Sequence, residues 1–195
     1  SGSSGPETSS AGCPPRSAPT RQVRRQALST PAQAVLFESP SNPMLDIVDI
    51  KAVCDLAHKA GATVIIDNAF ATPILQRPLE FGADVVVHSA TKYIDGQGRT
   101  LGGAVLGSKS FVIDKLQPII RNTGPSLSPF NAWVLVKGLE TLSLRVERHC
   151  ANAAKVAEAL SKNPAISRVL YPGRKEHPQH ALAAKQMSAF GGVVT

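Results

Sequence analysis

Short apolar runs rich in Val and Ile recur between residues 34 and 107: Ala34-Val35-Leu36-Phe37-Glu38, Thr63-Val64-Ile65-Ile66-Asp67, Asp84-Val85-Val86-Val87-His88 and Gly103-Ala104-Val105-Leu106-Gly107. Runs of this length, bounded by turn formers such as Ser39-Pro40-Ser41-Asn42-Pro43, predict buried strands. Between the first two, Asp49 precedes Ile50, Val53, Leu56, Ala57 and Ala60 at helical spacing, and Gly61 stands where a C-terminal cap belongs, so a helix connects them. Strands that are β-branched on both faces and joined by a helix predict an α/β fold, a mostly parallel sheet covered by helices. Ligands of such sheets sit at the carboxyl ends of the strands. The loops after Glu38, Asp67 and His88 are therefore where chemistry is expected.

The second half is patterned differently. Ser128-Pro129 reads as a cap followed by a proline in the first helical turn, opening a helix expected to stop near Gly138. A long helix is predicted from Thr141 to Lys162, with Leu142, Val146, Cys150, Ala153, Ala157 and Leu160 on one face and Asn163-Pro164 ending it. Ile166–Tyr171 and Gly192–Thr195 read as strands, and Pro178–Met187 as a helix.

Composition is that of a folded protein. Hydrophobic residues make up 43% and charged residues 18%, and mean hydropathy is −0.02, values of a globular protein. No apolar run approaches the roughly eighteen residues that a membrane helix needs, so a soluble, cytoplasmic protein is expected. The net charge of +7 is uneven: Arg16, Arg21, Arg24 and Arg25 against Glu7 place +3 of it in the first thirty residues. That arm lacks interleaved aromatics, so no nucleic-acid partner is expected. Cys13, Cys54 and Cys150 are odd in number and widely separated, which fits a reducing compartment rather than a disulfide framework or zinc cluster. Ser1–Gly5 reads as an expression linker, and residues 6–30, rich in Pro, Ser and Arg, as a disordered tail.

Lys92 lies just beyond the third strand, in His88-Ser89-Ala90-Thr91-Lys92-Tyr93. A lysine among hydroxyls could be a nucleophile toward a carbonyl or a phosphate ligand; taken alone, a solvated loop lysine is the more common case. Asp67 closes an apolar run and requires a cation or donor there, although a turn-forming role explains it equally well. Asn42 follows the first strand, and the three residues are evenly spaced along the chain. Pyridoxal 5'-phosphate would use all three loops: its pyridinium takes a carboxylate, its aldehyde a lysine, its ring oxygen an amide and its phosphate hydroxyls. Other motifs fail. Gly96-x-Gly98 has Leu101 where a dinucleotide fingerprint needs glycine, and Ser108-Lys109 reverses the P-loop order. His177 and His180, three apart, read better as surface histidines at a helix start than as metal ligands, so no metal is expected. Phe130 and Trp133 suit core or interface better than a stacking platform.

From Gln26 to Thr195 the sequence resembles the Cys/Met-metabolism family of pyridoxal-phosphate enzymes. The resemblance rests on Glu38-Ser-Pro-Ser-Asn-Pro43, Val64-Ile-Ile-Asp-Asn68, Ser89-Ala-Thr-Lys-Tyr93, Lys137-Gly-Leu-Glu-Thr-Leu142 and His177-Pro-Gln-His180. It implies that Lys92 is the catalytic lysine that binds the cofactor covalently, that Asp67 pairs with the pyridinium, that Ser89 and Thr91 bind the phosphate, and that Asn42 lies near the ring oxygen. Residues 31–140 would be part of the cofactor-binding domain, and 141–195 a long helix opening an α+β C-terminal domain. An amino-acid substrate and a homo-oligomer, commonly a tetramer, are implied too.

The loop Asp95–Gly103 is similar to the O-succinylhomoserine sulfhydrylase branch, which implies replacement of succinate by sulfide to give homocysteine. A cystathionine synthase or γ-lyase branch, or a catalytically silent subunit, are the alternatives. The family's stacking tyrosine, the Gly-rich phosphate turn and the arginine for the substrate carboxylate have no counterpart in the sequence, so a truncated product with little or no turnover of its own is expected.

Overall fold

The computed structural model describes residues 31–195; the tail and linker expected before them lie outside the described residues. Four strands, β1 (Ala34–Glu38), β2 (Thr63–Asp67), β3 (Val85–Ser89) and β4 (Gly103–Gly107), form one sheet in chain order. β1–β2 and β2–β3 are parallel and β3–β4 is antiparallel. The α/β fold with a mostly parallel sheet is as predicted, and the antiparallel strand follows from geometry: the chain returns from the carboxyl end of β3 through a loop at that same end.

Helix α1 (Ile50–Lys59) makes the crossover between β1 and β2. Asp49 caps it by accepting from the Ala52 amide, and Gly61, at φ 74°, supplies the left-handed residue just past its end. Its buried residues Ile50, Cys54 and Ala57 pack on Val64, Ile66 and Val86, which register and the period of two place on one sheet face. The other face carries Leu36, Ile65, Asp67, Val87 and Ser89. Leu36 there is 70% exposed.

The short helix α2 (Thr72–Leu75) follows β2. After β4, a wide helical turn at Phe111–Leu116 runs into α3 (Gln117–Thr123), a stretch that gives no periodic signal because β-branched residues and Pro118 interrupt it. Then come α4 (Pro129–Glu140), α5 (Leu142–Ser161) and α6 (His180–Gln186). These last three gather at the carboxyl end of the sheet, where Leu135, Leu142, Val146, Ala183 and Met187 share a core with Ile47, Ala71, Leu75, Ala90 and Ile94. Helix packing and strand-end loops are thus one unit, and the loops are held from behind.

Two sequence expectations need correction. Helix α4 continues two residues past Gly138, which is used for close packing rather than as a stop: a Cβ there would lie 2.1 Å from the Ile94 carbonyl oxygen. The strands expected at 166–171 and 192–195 do not form. Leu170 and Thr195 exchange backbone hydrogen bonds in both directions, but the ladder stops at that single pair because Pro172 and Gly173 turn the chain away.

Candidate active site

Strand β3 ends at Ser89, and the chain enters a wide five-residue helical turn, Ala90–Ile94, whose backbone leaves helical geometry at Lys92 (φ −88°, ψ −110°). This places the Lys92 amine back over the strand end, where Nζ donates to Ser89 Oγ at 3.0 Å. Lys92 is exposed, and no carboxylate pairs with it among the described residues, so the amine is not held in a competing ion pair.

The turn is fixed on both flanks. Gly102 N–H donates to Thr91 Oγ1 at 3.0 Å, and the Thr91 amide donates to the Gly102 carbonyl at 3.2 Å. The Thr91 hydroxyl donates in turn to that carbonyl at 3.3 Å. Beyond the turn, the side chain of Asp95 is fully enclosed and accepts from the Arg99 amide at 2.7 Å, from Arg99 Nε at 2.9 Å and from the Gln97 amide at 3.2 Å. The Arg99 amide above all, helped by the Arg99 guanidinium and against the effect of enclosure, holds the Asp95 carboxyl below the usual carboxylate range.

Asp67 stands at the carboxyl end of β2, paired in register with Val87. Because alternate residues share a face, Asp67 and Ser89 lie on the same face of adjacent strands, offset by one diagonal step. Asp67 Oδ1 accepts from the Ala69 amide at 2.9 Å; the other oxygen has no hydrogen-bond donor among the described residues. On the opposite face His88 is buried, and burial pushes its imidazole below the ordinary value, with Asp67 opposing.

Asn42 is exposed in the loop after β1, its amide donating to Glu38 Oε2 at 2.9 Å. No hydrogen bond among the described residues joins Asn42 to Lys92, Ser89, Thr91 or Asp67. The structure thus brings Lys92 and Ser89 into contact, sets Asp67 one strand away on their face, and leaves Thr91 facing the Gly102 backbone and Asn42 at the rim.

Behind these loops lies a buried polar network that the sequence does not announce. Asn68, the residue after Asp67, donates to the Thr72 and Gln76 carbonyls. Gln76 donates to Asn68 Oδ1 and to the Ser39 carbonyl at 2.8 Å each. Gln186 of α6 donates to Gln76 Oε1 at 2.9 Å and to the Val48 carbonyl at 3.0 Å, and accepts from the Ile50 amide at 3.0 Å. Ser39 Oγ accepts from the Val48 amide. Such a satisfied network in a low-dielectric interior locks the loops after β1 and β2 in one arrangement. The available signal is the polar residue amid apolar neighbours at Asn68; nothing local distinguishes Gln76 or Gln186.

The donor set suits a ring carrying an aldehyde, a protonatable nitrogen and a phosphate: an amine with no carboxylate partner among the described residues, a hydroxyl beside it, and a carboxylate on the same sheet face with one oxygen that accepts no hydrogen bond among those residues. A cleft of about 420 Å³ is lined by Lys92 together with Thr91, Tyr93, His149 and Gly192; Asp67 and Ser89 do not border it. Among the described residues no group of three His, Cys, Asp or Glu side chains is arranged to hold a metal, and no helix is long and apolar enough to cross a membrane.

The family model for Cys/Met metabolism PLP-dependent enzymes matches residues 17–195. An O-succinylhomoserine sulfhydrylase of Mycobacterium tuberculosis is 56% identical over 170 residues, covering 87% of this chain and 42% of the relative. An L-methionine gamma-lyase of Pseudomonas putida is 49% identical over 171 residues, 87% of this chain and 43% of its own length. The crystal structure of a cystathionine gamma synthase of Xanthomonas oryzae pv. oryzae superposes with a TM-score of 0.88 at 40% identity, covering 90% of this chain and 46% of that one. The chain therefore spans less than half the length of these relatives. A match along almost all of the described residues, in sequence and in backbone alike, means that the chain belongs to the Cys/Met metabolism family of PLP-dependent enzymes.

Proposed function

We propose that this chain carries the lysine-bearing half of a site that replaces the succinate of O-succinylhomoserine with sulfide to give homocysteine, with Lys92 as the catalytic lysine. The observation that supports it most is the 3.0 Å contact between Lys92 Nζ and Ser89 Oγ at a strand end whose neighbouring strand presents Asp67 on the same face. When bound, pyridoxal phosphate supplies an electron sink for charge developing on the substrate. The chain's own residues bind and orient. Lys92 would hold the aldehyde carbon, and its Nζ, when not so engaged, would take the proton from the substrate Cα and carry protons at Cβ. Asp67, through the oxygen not engaged by the Ala69 amide, would hold the proton on the ring nitrogen. Ser89 keeps the Lys92 amine over the strand end; with Thr91 it would hold the phosphate, once the Thr91 hydroxyl leaves the Gly102 backbone, and Asn42 would hold the ring oxygen. A homo-oligomeric assembly is part of the proposal, on the family resemblance alone.

The sulfhydrylase branch is favoured over lyase branches by the loop Asp95–Gly103 and by the higher identity to the sulfhydrylase than to the methionine gamma-lyase, 56% against 49%. A chimera tests it: residues 26–195 of this chain replace the matching segment of the Mycobacterium tuberculosis relative, which supplies the remaining length. The chimera should form homocysteine from O-succinylhomoserine and sulfide, and lose that activity in Lys92→Ala. Preference for O-acetylhomoserine, or release of an oxo acid without sulfide incorporation, would contradict the branch.

A further inference from the structure

The geometry points to Arg145 as a positioning residue for Lys92, acting through the backbone of the turn on which Lys92 sits; its link to cofactor binding rests on the function proposed above. Arg145, half-buried on α5, donates from Nη1 to the Tyr93 carbonyl at 2.7 Å, and from Nη2 to the Ile94 carbonyl at 3.3 Å and the Gly138 carbonyl at 2.7 Å. Its Nε donates to Thr141 Oγ1 at 3.1 Å, fixing the plane of the guanidinium. Among the described residues it forms no ion pair with a carboxylate, and both of its Nη groups donate to backbone carbonyls. Two of these are the C-terminal carbonyls of the Lys92 turn, the groups that a helical turn leaves without internal partners and where positive charge is favoured.

Two glycines make room for this arrangement. Gly96, at φ 73°, sits where a Cβ would fall 2.1 Å from Arg145 Nη1. Gly138 lets α4 close on the turn, since a Cβ there would meet the Ile94 carbonyl oxygen at 2.1 Å and the Asp95 carbonyl oxygen at 3.1 Å. A planar cation with forked donors can bridge three carbonyls at once, and the single ammonium of lysine would not match it. The clamp thus ties the turn to α4 and α5 at points just past Lys92, while Gly102 ties it just before, and the amine between them is held over Ser89.

The test compares the wild-type chain with Arg145→Lys and Arg145→Ala by amide hydrogen exchange. The reporters are the amides of Asp95 and Gly96, which close the turn onto the Ala90 and Lys92 carbonyls, with the amides of β2 as internal reference. In Arg145→Ala the turn amides should exchange about tenfold faster or more, the change that goes with losing one hydrogen bond to a charged group, and Arg145→Lys should fall between. The β2 amides should change far less. With pyridoxal phosphate and borohydride, the share of label on Lys92 relative to other lysines should drop in the same order. Unchanged exchange at Asp95 and Gly96, or equal acceleration in β2 including general unfolding of both variants, would overturn the clamp. If the wild-type chain is labelled elsewhere than Lys92, the proposed function fails, and the exchange data still decide whether Arg145 holds the turn.

Discussion

Replacing Gln186 with leucine removes the hinge of the buried network while keeping side-chain size. Three groups then lose their partner: the Ile50 amide, the Val48 carbonyl and Gln76 Oε1. Ile50 is fully buried and Gln76 is 1% exposed, so water does not replace Gln186 without opening the core. An unsatisfied buried polar group costs roughly 1–3 kcal/mol. Taking the low end for the two oxygens, which tolerate under-bonding better than an N–H, and allowing about 1 kcal/mol back for the added apolar burial, the net loss is about 3 kcal/mol. With a urea slope of about 2 kcal/mol per molar, the midpoint should move down by about 1.5 M at unchanged slope. Urea titration followed by far-UV circular dichroism reads this directly. A cycle with Gln76→Leu should show coupling of about 1 kcal/mol, since the second substitution removes a group already deprived of its partner. A midpoint within about 0.3 M of wild type would refute the reasoning and mean that the network is dispensable to the fold.

Gly138→Ala should destabilise by about 2 kcal/mol or more, because the offending atom is a backbone oxygen rather than a flexible side chain; an unchanged melting temperature in a thermal scan would refute that. Asp84 accepts from the Val64 amide at 2.7 Å and contacts His58 at 2.8 Å. Although partial burial alone would raise it, the Val64 hydrogen bond and then His58 hold its carboxyl below the usual range. Its contribution to stability is therefore present above the unfolded pKa and lost as pH falls through the folded one, so acid titration of Asp84→Asn should show a shallower loss of stability below about pH 4 than wild type. The Cys54 thiol is 1% exposed and pushed up to about 11, chiefly by burial and then by Asp84 and Asp55; at pH 8 iodoacetamide should label it only in denaturant, and labelling in the native chain at the rate of a free thiol would contradict its placement.

The strands and α1 are legible in the sequence because each obeys a local rule: apolar runs of strand length, Asp49 as cap, Gly61 as stop. The loops at the carboxyl ends follow from strand order and direction alone, and with them the neighbourhood of Lys92, Ser89 and Asp67. Gly138 misleads because a glycine late in an apolar helix has two uses, termination and close approach, and only the neighbour, here the Ile94 carbonyl, decides. The apolar run at 166–171 misleads because pairing is non-local: Leu170 finds Thr195, and nothing continues the ladder. Arg145 and Gln186 are invisible for a related reason. Their partners lie 52 and 138 residues away in sequence, and a lone Arg or Gln on a helix carries no mark of what it will meet.

Everything proposed for the site depends on Lys92 being the amine that takes the cofactor. The chain is incubated with pyridoxal phosphate, reduced with borohydride, digested, and its lysines mapped by peptide mass spectrometry. The reduced adduct should lie on the peptide containing Ser89-Ala-Thr-Lys92-Tyr93, with little on exposed lysines such as Lys51 or Lys137 and loss of the signal in Lys92→Ala. An adduct spread evenly over exposed lysines, or concentrated on another one, would contradict it.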